Sequence, residues 1–325
     1  MKKGRTHAIA AQKVYTCTEA ARCRPQEGDA PAHDAFTRLL TRQPPDTAAL
    51  WQEVDPLVRI DAGILILDDT TLDKPHARKI ELVTRHWSGK HHRVVLGINR
   101  ITLLWADQEA ALPCDCRVYD KPLEGGKTKN EHFLEMLKTA RERGFTPEYV
   151  CFDGWYSSLE NLKAVRSHGW HFLTRLKHNR QVNPDGNGNV AVDEIDIPAD
   201  GRRVHLRGFG FLFVFRTVAK NGDVEHWATS DPAMTKRQRG ELAGRCLAIE
   251  NYHRGLKQCC GVERAQVRKA DAQRRHILLS LRAFVRLEAN RLGSGIHWYA
   301  AKAAIVPEAI RAYLSKPTIR LGDSA

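Results

Sequence analysis

Three acidic positions have the surroundings that metal-assisted phosphoryl chemistry needs. The pair Asp68-Asp69 closes the short apolar run Gly63-Ile64-Leu65-Ile66-Leu67, and Asp153 ends Glu148-Tyr149-Val150-Cys151-Phe152 in the same way. Glu250 is a single acid among Arg245, His253, Arg254 and Lys257. Acids at the ends of buried strands are held on rigid elements, and three of them brought together repel unless cations neutralise them. Oxygen donors suit Mg2+ or Mn2+. Two such ions ~3.5–4 Å apart activate an attacking oxygen and stabilise the leaving oxygen of a phosphodiester. The nearby Lys and Arg side chains would then hold phosphates. Simpler readings stand beside this one. Asp68-Asp69-Thr70-Thr71 also has turn chemistry, and a helix mixing acid and base is often a solvated face with i,i+4 pairs.

The elements that must position these acids can be read from periodicity. Gly63 to Leu67 has the continuous apolar character of a buried central strand. Val94 to Ile98, Ile101 to Ala106 and Asp115 to Tyr119 follow as a strand meander. Thr128 and Glu131 form a capping box for a helix over Lys129 to Arg143, stopped by Gly144. Glu148 to Asp153 is the next strand. Ser157 and Glu160 cap a helix through about His168, and Trp170 to Thr174 returns to strand. The order predicts a mixed α/β sheet with two strand-end Asp sites. Between residues 176 and 231 the texture is β-rich, with a hairpin signal at Asn221-Gly222. There Phe209, Phe211, Phe213 and Phe215 alternate, a pattern expected of a small core. A helix beginning near Thr235 places Leu242, Ile249 and Leu256 on one apolar seam. A last helix is expected from about Ile277 to Leu292.

The expected organisation is a helical N-terminal region over 1–58, a catalytic core over 59–175 and 232–292, a β-strand insertion over 176–231 and a tail over 293–325. In the first region Pro44-Pro45 separates short helices, with Asp46 or Thr47 as the next cap. Arg22, Arg24, Arg38 and Arg42 are compatible with a helix-turn-helix-like DNA contact, or the helices serve as a structural lid. Gly125-Gly126-Lys127-Thr128 resembles the end of a phosphate-binding loop, but Lys121 occupies the position of its first glycine, so that motif is rejected.

The chain of 325 residues carries a formal net charge of +13, which favours a polyanionic partner such as nucleic acid. No apolar run approaches a membrane span, and the basic start lacks the apolar core of a signal peptide. The eight cysteines contain no C-x-x-C pair and read as free thiols of a reducing compartment. These features predict no membrane partner and a cytoplasmic location.

Three blocks, taken together, resemble bacterial insertion-sequence DDE transposases of the subgroup with a β-strand insertion between the second Asp and the Glu. They are Ile66 to Lys74, Phe152-Asp153-Gly154-Trp155-Tyr156 and Ile249 to Gln258, with Gln266 to Ile277 and Tyr15-Thr16-Cys17-Thr18 as further similar stretches. The resemblance implies a ribonuclease H-like core with flanking helices and a bacterial protein that associates with the nucleoid when bound to DNA. The implied reaction hydrolyses the phosphodiester at transposon ends and transfers the freed 3′-hydroxyl into target DNA. It implies Asp68, Asp153 and Glu250 as catalytic metal ligands, with Asp69 as the alternate first acid, and two Mg2+ or Mn2+ ions. Lys257 matches the family's phosphate-contacting Lys, and Arg254, Arg245, His253, Arg268 and Lys269 are the accompanying DNA-binding candidates. Trp227 in the insertion is a candidate for base flipping, against the alternative of a core Trp. The implied partners are double-stranded DNA, as terminal inverted repeats and target, and a second copy in a homodimeric DNA complex. The family's Tyr and Arg before the Glu are here Ala243 and Cys246, with Arg245 displaced by one. Two other functions therefore remain: an inactive transposase-derived DNA-binding protein, and a ribonuclease H-like nuclease that does not join.

Overall fold

The computed structural model describes residues 7–23, 31–42, 47–89, 91–120, 126–219 and 221–316. Arg24, Pro44, Pro45, Asp46 and Gly125 lie outside them. The chain forms two compact units, one of residues 47–253 and the other of residues 1–46 with 254–325.

The larger unit is built on one sheet. Strand β1 (Ile64–Asp73) opens with four buried aliphatic residues, Ile64, Leu65, Ile66 and Leu67. Strands this apolar are stable only with neighbours on both edges and cover on both faces. Strand β3 (Arg93–Ala106) pairs with β1 antiparallel, and β5 (Tyr149–Phe152) pairs with it parallel. Strands β2 (Thr84–Ser88) and β4 (Ala111–Tyr119) pair with β3, and β6 (His171–Leu176) runs parallel to β5. The order β4-β3-β1-β5-β6, antiparallel on one side of β1 and parallel on the other, is the ribonuclease H-like mixed sheet expected from the sequence. Helix α3 (Ala48–Val54) precedes β1, and helices α4 (Lys129–Glu142) and α5 (Leu159–Ser167) connect β4 to β5 and β5 to β6. Both halves of the Thr128/Glu131 capping box are formed at α4, and Phe133, Met136, Leu137 and Ala140 make its buried face.

The β-rich stretch continues this sheet. Strand β11 (Val224–Thr229) pairs antiparallel with β6, followed outward by β10 (Gly210–Val218) and β9 (Arg202–Leu206). A separate two-stranded sheet joins β7 (Gln181–Val182) to β8 (Val190–Ala191). On β10 the buried side chains are Leu212, Val214 and Phe215, whereas Phe211 is 57% exposed with the Arg203 guanidinium 3.6 Å from its ring centroid. The phenylalanine alternation therefore marks a partly solvated face and not a closed core.

Strand β1 continues to Asp73, because Asp68 to Asp73 still pair with β3 after β5 has ended. The two strands expected over 94–106 are one, because the polar residues that split the pattern, Asn99 and Arg100, are buried. The cap of α5 is Ser158, whose hydroxyl accepts from Asn161 N, and not Ser157. The helix expected from Thr235 is two, α6 (Lys236–Cys246) and α7 (Ala248–Cys260), separated at the exposed Leu247. Leu242, Ile249 and Leu256 are all buried, as the seam requires. All eight cysteines are free. Among the described residues no helix is long and apolar enough to cross a membrane.

The second unit contains α1 (Cys17–Arg22), α2 (His33–Leu39), α8 (Ala270–Ser294) and α9 (Trp298–Ser315). Helix α9 occupies part of the tail, where no periodicity had marked an element. It packs through Trp298, whose ring lies 4.8 Å from that of Phe284 and whose indole N–H donates to Glu288. Lys302 of α9 is buried, and its ammonium lies within 3.2 Å of the carbonyls of Ile9, Ala11 and Cys259 and the Tyr15 hydroxyl. Lys302→Met keeps the volume but leaves these acceptors without their donor. It is expected to destabilise this unit by roughly 2–4 kcal/mol, read as a lower denaturation midpoint and faster proteolysis near residue 15. A midpoint equal to wild type would remove Lys302 from this role.

Candidate active site

The register of the parallel pair β1–β5 builds the site. Leu67 lies opposite Phe152, the last pair in that ladder. Asp68 and Asp153 are the next residues on the two strands and therefore project to one face. Asp153 is fixed by its own loop and by β6: its carboxylate accepts from Trp155 N at 3.0 Å, and its carbonyl accepts from Thr174 Oγ1 at 3.2 Å. Gly154 allows this loop to lie against β6, since a Cβ there would stand 2.9 Å from the Arg175 carbonyl.

Electrostatics set these two carboxyls apart. Burial, reinforced by repulsion from Asp69, pushes Asp68 up to about 7, against smaller opposing effects that include Lys129 and Arg175. Burial and repulsion from Asp68 and Asp69 push Asp153 up to about 6, although the N–H groups of Trp155 and Tyr156 hold it back. Such a pair is short of positive charge, and two oxygen donors of this kind fit a hard divalent cation.

Asp69, on the opposite face of β1 by strand alternation, has a different environment. Its carboxylate accepts from Asn99 Nδ2 at 2.6 Å, Lys129 Nζ at 2.8 Å and Tyr156 Oη at 2.9 Å. These three donors tie together β1, β3, α4 and the loop after β5.

Helix α7 approaches through His253. Its Nε2 lies 3.5 Å from Asp68 Oδ2, and its Nδ1 is 2.9 Å from the fully buried Arg100 guanidinium, which also donates to Tyr252 Oη at 2.8 Å. Arginine only donates, so Nδ1 accepts and the ring proton sits on Nε2, facing Asp68. Arg100 and the loop residue Trp155 were not singled out as site residues from the sequence. The available signal was a charged residue inside an apolar strand run and an aromatic two residues after a strand-end Asp.

The remaining candidates are dispersed. Glu250 is exposed, in the first turn of α7. Among the described residues no group of three or more His, Cys, Asp and Glu is arranged to hold a metal. The site thus brings together Asp68, Asp153 and His253, and Glu250 lies outside that group. Arg245 donates to Glu148 at 3.3 Å, just before β5, and so sits at the end of that strand away from Asp153. His253 is buried against Asp68, a position that does not suit a surface contact to DNA. Trp227 is half-buried on β11, its indole N–H bonded to Glu225 and its ring 5.6 Å from Arg175. Arg254, Lys257, Arg268 and Lys269 belong to the other unit. Lys257 pairs with Glu263 at 3.0 Å, and Arg254, Arg268 and Lys269 are exposed.

A family profile described as DDE superfamily endonuclease matches residues 22–238, a span that includes Asp68 and Asp153 and ends before Glu250. No curated protein matches the chain. Among solved structures, a piggyBac transposase synaptic complex with hairpin DNA is similar at a TM-score of 0.51 and 11% identity, over 98% of this chain and 73% of that one. At that identity the likeness is one of fold. A Drosophila P element transposase strand transfer complex aligns at a TM-score of 0.31 and 8% identity, over 98% of this chain and 86% of that one.

The raised carboxyls make a testable statement about stability. Between the unfolded pKa near 3.8 and a folded value of about 7, the folded chain binds the extra proton at Asp68, so stability falls as pH rises through that window. In metal-free protein, Asp68→Asn is expected to raise the thermal midpoint at pH 8 by roughly 2–6 °C and to lose that advantage as pH approaches about 4. A difference that does not change with pH would show that Asp68 is not held in this state.

Proposed function

Given that this chain belongs to the DDE superfamily endonuclease family, we propose that it is a DNA transposase that cuts at transposon ends and joins the freed 3′-hydroxyl to target DNA. The observation that carries this reading is the placement of Asp68 and Asp153 on one face where the parallel ladder between β1 and β5 ends. Asp68, and not Asp69, is the first acid of the site, because Asp69 already satisfies three donors. Asp68 and Asp153 would hold Mg2+ or Mn2+, with Glu250 completing the set from α7. When bound, the ions activate an attacking oxygen and stabilise the leaving one. The chain's own residues do the positioning. Arg100 orients His253 toward Asp68, and Lys129 and Arg175 offset negative charge around the carboxylates. The net charge of +13 favours a phosphate backbone, with Arg254, Lys257, Arg268 and Lys269 as its contacts. Two copies would hold paired inverted repeats.

One set of observations favours a second reading, a silent DNA-binding descendant. Glu250 stands outside the carboxylate group, and Cys246 occupies the position of the family's Arg and interacts with Cys151. A single assay separates the two: nicking of labelled duplexes carrying the gene's flanking repeats, in Mg2+, Mn2+ or EDTA. Wild type is expected to cleave at the repeat boundary only with metal. Glu250→Gln is expected to lose cleavage by on the order of a hundredfold or more while binding DNA within about twofold of wild type. Parallel loss of binding would make Glu250 a DNA contact, and binding without cleavage by wild type would favour the silent descendant. Duplex affinity is also expected to fall by on the order of a hundredfold or more between about 50 and about 200 mM salt. Salt-independent affinity would exclude a phosphate-dominated interface.

A further inference from the structure

The loop that presents Asp153 also presents a largely exposed aromatic ring. Trp155 is 60% exposed, an unusual state for so large an apolar side chain. Its neighbour Tyr156 is fully buried, stacked on Phe133 at 5.6 Å and bonded to Asp69. Trp155 N bonds to the Asp153 carboxylate, and Ser157 Oγ donates to the Gly154 carbonyl at 2.8 Å. The backbone is thus anchored on both sides of an outward ring, and little conformational entropy remains to be lost when something stacks on it. Two ammonium groups flank the ring, Lys129 Nζ at 5.7 Å and Lys177 Nζ at 5.4 Å from its centroid. An exposed aromatic between cations is the arrangement that binds unpaired nucleotides, with the base on the ring and the phosphates on the lysines.

Comparison with other tryptophans sharpens the point. Trp105, Trp170 and Trp298 are buried. Trp227 is half-buried, with its N–H committed to Glu225 and Arg175 against its ring. Trp87 is 65% exposed, but on β2, which pairs with neither carboxylate-bearing strand. Trp155 combines exposure, flanking cations and a backbone bond to a site carboxylate.

We propose that Trp155 is a positioning residue that stacks on an unpaired base next to the phosphodiester at the Asp68–Asp153 site, with Lys129 and Lys177 flanking the adjoining phosphates. The inference rests on the DNA-processing reading above and adds that the substrate's unpaired base is held by this ring and not by Trp227. Stacking of this kind tolerates any base, so it recognises a frayed or single-stranded junction and not a sequence.

The test uses the full chain, with Ca2+ present, and two duplexes of the same sequence. One is fully paired, and the other carries a short single-stranded flap with 2-aminopurine at the junction. Wild type is expected to bind the flap duplex more tightly than the paired one and to change the 2-aminopurine fluorescence. Trp155→Ala is expected to weaken flap binding about tenfold or more, leave paired-duplex binding within about twofold and abolish the fluorescence change. Trp155→Phe is expected to retain most of both, and Trp227→Ala to behave as wild type. Unchanged thermal midpoints establish that the variants fold. Equal loss on both duplexes, or flap binding by Trp155→Ala equal to wild type, would overturn the inference. Trp155-dependent flap binding by a wild type that cleaves no DNA in Mg2+ or Mn2+ would uphold it and overturn the transposase reading.

Discussion

The pairing of Leu67 with Phe152 is the constraint on which the site depends. It ends the parallel ladder between two apolar strands and delivers an Asp from each to one face. Adjacent carboxylates in a partly buried setting repel by an amount on the order of 4 kcal/mol at 4 Å for an effective dielectric near 20. Lys129 and Arg175 beside Asp68, and the N–H groups of Trp155 and Tyr156 at Asp153, offset only part of the cost of holding these carboxyls there. What holds the arrangement is the aliphatic run Ile64–Leu67, locked between β3 and β5, whose burial would be lost if the strands slipped to relieve the charges. A one-residue slip would also turn every side chain of β1 to the other face. The sheet thus fixes two carboxyls that a cation would stabilise; burial is the main cause of the raised state of both, and repulsion from Asp69, and for Asp153 also from Asp68, adds to it.

The two faces of β1 divide the work. Asp69 serves construction, since its three donors come from β3, α4 and the loop after β5. Removing that carboxylate would loosen the elements that carry Lys129 and Trp155. Asp68 lies on the other face and meets His253, whose orientation is set by Arg100 beneath it. The two adjacent acids, equivalent in the sequence, are separated by strand alternation into a structural anchor and a half-buried electrostatic site.

Much of this organisation was legible where residues act through local rules. The apolar runs before Asp68 and Asp153 gave both strands, the capping box at Thr128 gave α4, Asn221-Gly222 gave the hairpin, and the mixed α/β class followed from their order. The illegible parts are those whose partner is remote. Asn99 and Arg100 read as a break because an isolated strand has no use for them, yet they bond to Asp69, Tyr252 and His253 from other elements. The continuation of β1 past Asp68 depends on β3 and not on its own Thr70 and Thr71. The outward turn of Trp155 depends on Tyr156 finding a pocket beside Phe133, and Lys302 of α9 was hidden because three of its partners are backbone carbonyls, which carry no sequence signature, and the fourth is the remote Tyr15 hydroxyl. The polar residues that spoil a periodic pattern are, in this chain, those that assemble the site.

The split between α6 and α7 bears directly on Glu250. A single helix from Thr235 would place Glu250 in mid-helix. The break at Leu247 places it instead in the first turn of α7, where the positive end of the helix dipole favours a negative charge. Tyr252 and His253 fix the rotation of α7 through Arg100, so the direction of the first turn is fixed as well. Glu250 precedes His253 by three residues, about 60° around the helix and roughly 4.5 Å along its axis. Its side chain is exposed in that position. Without a cation a third negative charge has every reason to stay in solvent, and its exposed position is what the repulsion between the first two carboxylates leads one to expect.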